Sequence, residues 1–269
     1  MPRIFAGLLL LFVMACPVYA ELTRDQLPSD AANKISDEQL ELINWMMFYY
    51  KHPKPDEFPQ WLKRASAAGL LKDDGRQFPF LGFEASIFMM NADKIPQWIK
   101  AIDALPEHDR KNILIALWLS DTKSGKSALQ VKSRRTLISG DNYFNFKTDE
   151  DSPGMDHIRN TYMGYLDIQW GRFMATGNEK PVRNIISDLE FARYLGSQKK
   201  YPHPQTDEEK DCVIKEILFQ TAVWSLRGNF QMHPKVLEIC KKVYGEKVLN
   251  SHGQAALQGL LQFKTDKNK

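Results

Sequence analysis

The chain has 269 residues and a mass of 31.0 kDa, with 43% hydrophobic, 26% charged and 11% aromatic residues. These values exclude disordered, collagen-like and disulfide-scaffold proteins, and the length suffices for one large domain or two small ones. Thirty-six basic against thirty-three acidic residues give a formal net charge of +3, too even for a dedicated nucleic-acid binder.

Residues 1–20 read as a leader. Arg3 precedes an apolar run from Ile4 to Ala15, which is too short to span a bilayer as a stable helix. Val18-Tyr19-Ala20 supplies the small or apolar residues of a signal-peptidase site, so cleavage is expected before Glu21. Val13-Met14-Ala15-Cys16 offers an alternative: it resembles a bacterial lipobox, with Cys16 as the lipidated residue. No later apolar stretch reaches ~18 residues without a charge, so no transmembrane segment is expected after cleavage. The expected address is export, to the periplasm or beyond, with a lipid anchor at Cys16 as the lesser alternative.

The remainder reads as helix. Leu outnumbers Val by 28 to 9, which favours helices over strands. Residues 21–35 lack a clear period and read as a linker. At Ser36-Asp37-Glu38-Gln39 a capping signal opens a helix whose apolar positions are Leu40, Ile43, Met47 and Tyr50. Further helices are predicted at about 56–68, 79–91 and 93–104. Pro106-Glu107-His108-Asp109 then opens another, with Ile113, Leu114, Leu117 and Trp118 on one face. Later segments follow at 157–176 and 180–196. Thr206-Asp207-Glu208-Glu209 starts a helix with a stripe through Ile214, Ile217, Leu218, Thr221 and Trp224. The last two lie at 233–244 and 247–263. The expected organisation is one all-α domain over 36–263, with a polar loop region near 138–156 and a disordered tail at 264–269.

The helices look paired. Phe58-Pro59-Gln60-Trp61-Leu62-Lys63 recurs 37 residues later as Ile95-Pro96-Gln97-Trp98-Ile99-Lys100, and each copy follows an aromatic- and Met-rich helix end. Looser junctions recur near Phe173–Pro181 and Phe230–Pro234. A helix-pair unit near 34–40 residues predicts stacked antiparallel hairpins, as an irregular α-solenoid or, if the repeat is fortuitous, a helical bundle. Asn91-Ala92-Asp93-Lys94-Ile95-Pro96-Gln97-Trp98, Ala116-Leu117-Trp118-Leu119-Ser120-Asp121-Thr122, and Trp224-Ser225-Leu226 before His233-Pro234 resemble a group of exported bacterial helical-repeat, tetratricopeptide-like proteins. That resemblance covers about half of the mature chain; it implies helical architecture and supplies no catalytic residues.

After leader cleavage only Cys212 and Cys240 remain. In a hairpin turning near Phe230, Cys240 lies opposite about residue 221, so Cys212 is offset by roughly nine residues, or about 13 Å. A disulfide needs Cα atoms within ~7 Å, so two buried thiols are expected.

Candidate chemistry is sparse. Ser120-Asp121-Thr122-Lys123-Ser124-Gly125-Lys126-Ser127 ends like a phosphate-binding loop, but Ser120 replaces the first glycine and the preceding segment is helical. A polar helix–helix loop is expected there. Lys123, Lys126, Lys132, Arg134 and Arg135 form a run without an acid, a solvated helix face or a patch for an acidic partner surface, polysaccharide or lipid headgroup. Asp149-Glu150-Asp151-Ser152-Pro153-Gly154 copies a calcium loop only in part, with Pro153 and Asn160 at ligand positions. No His pair has zinc spacing, and His52, His203 and His233 precede prolines as turn residues. No Gly-x-Ser-x-Gly elbow exists, and acids surround Cys212. The six tryptophans fit core stripes, while Tyr49, Tyr50, Tyr162 and Tyr165 could line a peptide or glycan groove.

The expected function is therefore an exported, non-catalytic helical scaffold that binds a protein or peptide partner in the cell envelope, without metal, cofactor or nucleic acid. The alternative is a secreted helical hydrolase acting on cell-wall, glycan or lipid material, which requires Asp, Glu or His residues remote in sequence to converge in a cleft with perturbed pKa values.

Overall fold

The computed structural model describes residues 22–27, 29–72, 77–138, 154–155 and 164–266. The expected leader with Cys16, Tyr162, His157, the acidic 149–153 segment and most of the expected polar loop lie outside the described residues. Every described regular element is helical, in agreement with the all-α expectation.

The stretch expected to be a linker is docked instead. It carries a 3-10 turn, Arg24–Gln26, and a short helix, α1 (Ser29–Ala32). Leu22 is 4% exposed, and the Asn44 side chain grips its backbone from both sides: Leu22 N–H donates to Asn44 Oδ1 at 2.7 Å, and Asn44 Nδ2 donates to Leu22 O at 2.7 Å. Composition alone does not reveal this, because the partner is one amide 22 residues away.

Helix α2 (Asp37–Met47) starts where the sequence predicts, with a reciprocal capping box between Ser36 and Gln39. Each side chain satisfies an otherwise orphaned N–H, a cap of about 1 kcal/mol. The Pro-Gln-Trp helices follow as α3 (Phe58–Ala67) and α5 (Ile95–Asp103), each with proline in its first turn. Their first residues, Phe58 and Ile95, have no exposure, and Trp61 and Trp98 are both buried. The Phe58 ring packs between the two indoles, 5.3 Å edge-to-face from Trp98 and 6.1 Å from Trp61. The two copies of the motif thus pack directly together.

Helix α4 (Gln77–Met90) lies between them in sequence and forms the centre of the fold. It is apolar on every side, and each residue from Pro79 to Phe88 is buried, the pattern of a helix enclosed by others. It packs against α6 (Glu107–Leu119) and above all α9 (Tyr165–Thr176). At the α4–α9 crossing, a Cβ on Gly82 would stand 2.1 Å from Ile168 O, and one on Gly171 would stand 2.0 Å from Pro79 O. Only glycine admits such backbone contact.

The second half wraps this centre. The expected 180–196 helix divides into α10 (Glu179–Ser187) and a 3-10 helix, Asp188–Tyr194, because that tighter segment is clamped between two later helices, α12 (Asp207–Met232) and α14 (Ser251–Asp266). Gly196, at φ 92°, turns the chain into α11 (Ser197–Lys200), whose start is capped by buried Glu216 through the N–H groups of Gly196 and Gln198, at 3.0 and 2.6 Å. Helix α12 ends at His233, which precedes proline and adopts an extended conformation, and α13 (Pro234–Glu246) follows. Lys247 stops α13 in the left-handed region, φ 52°, and Asn250 caps α14 through Gly253 N–H. Cys212 and Cys240 are both free thiols, the first half-buried and the second fully buried.

Candidate functional site

The segment that resembles a phosphate-binding loop is a helix junction. Ser120 ends α6, and Thr122 caps α7 (Lys123–Leu129) by accepting a 3.0 Å hydrogen bond from Gly125 N–H. Gly125 is a buried helical residue whose amide serves that cap, so no cradle for a phosphate forms there.

The basic run does assemble into a surface. After α7 the chain turns at exposed Val131 into α8 (Lys132–Ile138). A trough of about 870 Å³ opens between α8 and α6, lined by Lys132, Ser133 and Thr136 on one wall and Glu107, Arg110 and Lys111 on the other, with Leu137 contributing apolar surface. A second trough, of about 420 Å³, lies between α7 and α5. Lys123, Ser124 and Ser127 face Pro96 and Ile99 there, and Arg134 of α8 closes one end. Helix α8 therefore stands as a ridge between two troughs, each holding cations, hydroxyls and apolar surface. Residues 107–138 carry seven basic and three acidic side chains.

The five predicted basic residues take different roles. Lys123 and Lys132 are exposed and form no ion pair among the described residues. Lys126 pairs with Asp121 at 2.9 Å. Arg134 is a structural brace: its guanidinium holds both Asp103 carboxylate oxygens and donates to Ala128 O at 2.7 Å, and the Asp103 hydrogen bond raises its already high pKa. Arg135 lies half-buried on α8. The sequence reading missed Arg110 and Lys111, which sit on the next helix wall 21 residues before Lys132; their spacing on α6 with Glu107, one helical turn apart, is the signal that could have found them.

Tyr49, Tyr50 and Tyr165 do not line the expected groove, and Tyr162 lies outside the described residues. Tyr49 and Tyr165 are buried, and Tyr50 is half-buried against Phe173 and His233. Burial pushes both Tyr49 and Tyr50 hydroxyls up to about 12. Tyr49 and Tyr165 are core residues and Tyr50 packs against the core: the turn that carries Tyr49 and Tyr50 lies against α9, which itself begins at Tyr165, and Tyr50 also meets His233 at the α12–α13 junction.

Two interior polar clusters accompany them. Glu84, in the middle of α4, and Asp109, in the first turn of α6, are each 1% exposed. Desolvation, reinforced by the Asp109 charge, holds the Glu84 carboxyl well above the ordinary range. Asp109 accepts from Ser66 Oγ at 2.5 Å and meets His108 Nε2 at 3.0 Å. Elsewhere, His233 has no exposure; its Nδ1 lies 3.2 Å from the Tyr50 hydroxyl, and burial, aided by Lys51, lowers its pKa to about 3. Neither cluster lines a trough. Among the described residues no group of three or more His, Cys, Asp or Glu could hold a metal ion, and no helix is long and apolar enough to cross a membrane. Comparison with protein-family models, curated proteins and solved structures finds no match to this chain.

Proposed function

We propose that the protein is an exported, non-catalytic helical scaffold that binds a protein partner in the cell envelope through the two cationic troughs beside α8. The observation that carries this reading is the convergence of α6 and α8 side chains, remote in sequence, on one concave surface with cations, hydroxyls and the apolar Leu137. A scaffold needs such a surface and a rigid body behind it; the Arg134–Asp103 brace fixes the ridge and enclosed α4 stiffens the core. The leader at 1–20 supports export, and the Pro-Gln-Trp repeat with its likeness to exported helical-repeat proteins supports a binding role.

The hydrolase reading draws on the Glu84–Asp109 pair, a carboxyl whose pKa burial raises beside a second carboxyl. Both groups are 1% exposed and line neither trough, so a substrate has no described path to them. The scaffold reading is favoured on that ground.

A photo-activatable amino acid placed at Ser133 in one trough and at Ser124 in the other tests the scaffold reading in intact cells. The same defined adduct is expected from both positions, and it should disappear when Lys132→Glu is added. Absence of an adduct from either trough, or an adduct indifferent to charge reversal, sinks the reading.

A further inference from the structure

The chemistry of the trough walls narrows what can occupy them. This step rests on the scaffold reading and concerns the class of partner segment. The larger trough is not uniformly basic: Glu107 lines it together with Arg110, Lys111 and Lys132. A polyphosphate, a nucleic-acid backbone or an anionic bilayer offers only acceptor oxygens to that wall, and Glu107 would face like charge, which is unfavourable. A peptide offers both kinds of group. Its acidic side chains meet the cations and hydroxyls, while its backbone N–H groups can donate to the Glu107 carboxylate.

Shape agrees with this assignment. The troughs lie on either side of α8, with Lys132, Ser133, Thr136 and Leu137 in one and Arg134 in the other. A chain of side chains can fill both. Both troughs also have apolar lining, Leu137 in one and Ile99 and Pro96 in the other. Apolar side chains spaced between acidic ones would cover them and supply the desolvated anchor that tight peptide recognition requires.

We infer that the occupant is a segment of a partner protein in which acidic residues alternate with single apolar residues, laid across α8 from the Lys132 trough to the Lys123 trough.

The test measures fluorescence anisotropy of the full mature chain with a labelled Glu-Leu-Glu-Glu-Leu-Glu-Glu-Leu peptide, its Lys-for-Glu counterpart, polyphosphate, and vesicles of phosphatidylglycerol and phosphatidylcholine. The acidic peptide is expected to bind and the basic one not, with affinity falling severalfold as salt rises from 50 to 200 mM. Lys132→Glu and Lys123→Glu should each weaken it about tenfold. The variant Glu107→Lys gives the decisive sign: it should weaken the acidic-apolar peptide although it adds positive charge. If Glu107→Lys tightens the peptide, or if polyphosphate or vesicles bind more tightly than the peptide at equal charge, the inference is overturned. A photo-adduct in cells that the acidic peptide fails to compete away overturns this inference while the scaffold reading stands; loss of the adduct itself removes the scaffold reading.

Discussion

Gly82 of α4 lies against the Ile168 carbonyl of α9 so closely that a Cβ at position 82 would come within 2.1 Å of that oxygen. The obstacle is backbone, which cannot swing aside as a flexible side chain would. Gly82→Ala and Gly171→Ala are each expected to cost about 3 kcal/mol or more by forcing the two helices apart. Gly259→Ala, on an open helix surface with nothing within 4 Å, serves as the control and should stabilise slightly or not at all. Urea denaturation of the three variants checks the contrast.

Glu84 makes stability depend on pH from the acidic side upward. Its folded-state pKa is raised above 4.5 by burial and by Asp109, so the folded chain keeps a proton that the unfolded chain releases. Stability from this group is complete below about 4.5 and is lost as pH rises toward the folded value, by about 1.4 kcal/mol per pH unit within the window. Asp167, raised from 3.8 to about 7 by desolvation, adds a loss of the same sign over that interval. Glu84→Gln keeps shape and hydrogen-bonding capacity while removing the titration. Urea midpoints measured from pH 4 to 8 should fall less steeply in this variant than in the parent.

His233 acts with the opposite sign. Its folded-state pKa is lowered from 6.5 to about 3, so the unfolded chain takes up a proton that the folded chain refuses. Its contribution is present above about 6.5 and is lost as pH falls toward 3. His233→Phe retains a ring among Phe48, Tyr50 and Phe173, at the expense of the Tyr50 hydrogen bond. The variant should be less stable than the parent at pH 7.5 by about 1 kcal/mol, and its acid-unfolding midpoint should move to lower pH relative to its own neutral stability. Circular dichroism during acid titration reads both.

The two thiols should differ sharply in reactivity. Cys212 is half-buried, whereas Cys240 is fully buried with its pKa pushed up to about 12 by desolvation. A thiol-reactive reagent is expected to modify Cys212 in the folded protein and Cys240 only on unfolding. Counting modified thiols by mass with and without urea checks this, and two fast thiols in native buffer would contradict the packing of α13.

Periodicity and caps made much of this fold legible. Ser36-Gln39 and Thr206-Glu209 marked helix starts because capping is local chemistry, and both form capping boxes. The centre was less visible. Nothing in the spacing of Gly82 and Gly171 announces that their helices touch, since that contact joins segments about 90 residues apart in the chain. The tyrosines misled for the same reason: a helix-end aromatic looks available until a partner helix covers it, as happens to Tyr49 and Tyr165. The candidate surface was half legible. Its Lys123–Arg135 wall is a run, but Arg110 and Lys111 join it only through the folding of α8 onto α6.

Enclosure of α4 also sets how the molecule can breathe. Its amides from Phe80 to Phe88 are shut away beneath α6 and α9, while the last turn at Met89 and Met90 reaches the surface, so deuterium is expected to reach the enclosed stretch only when the entire assembly opens. Short α8 is covered only by α6 and α7 and held by the Arg134–Asp103 brace, so its amides are expected to exchange earlier. Isotope uptake on enclosed α4 would thus time the global event, while uptake on α8 would report the smaller opening of its own helical hydrogen bonds.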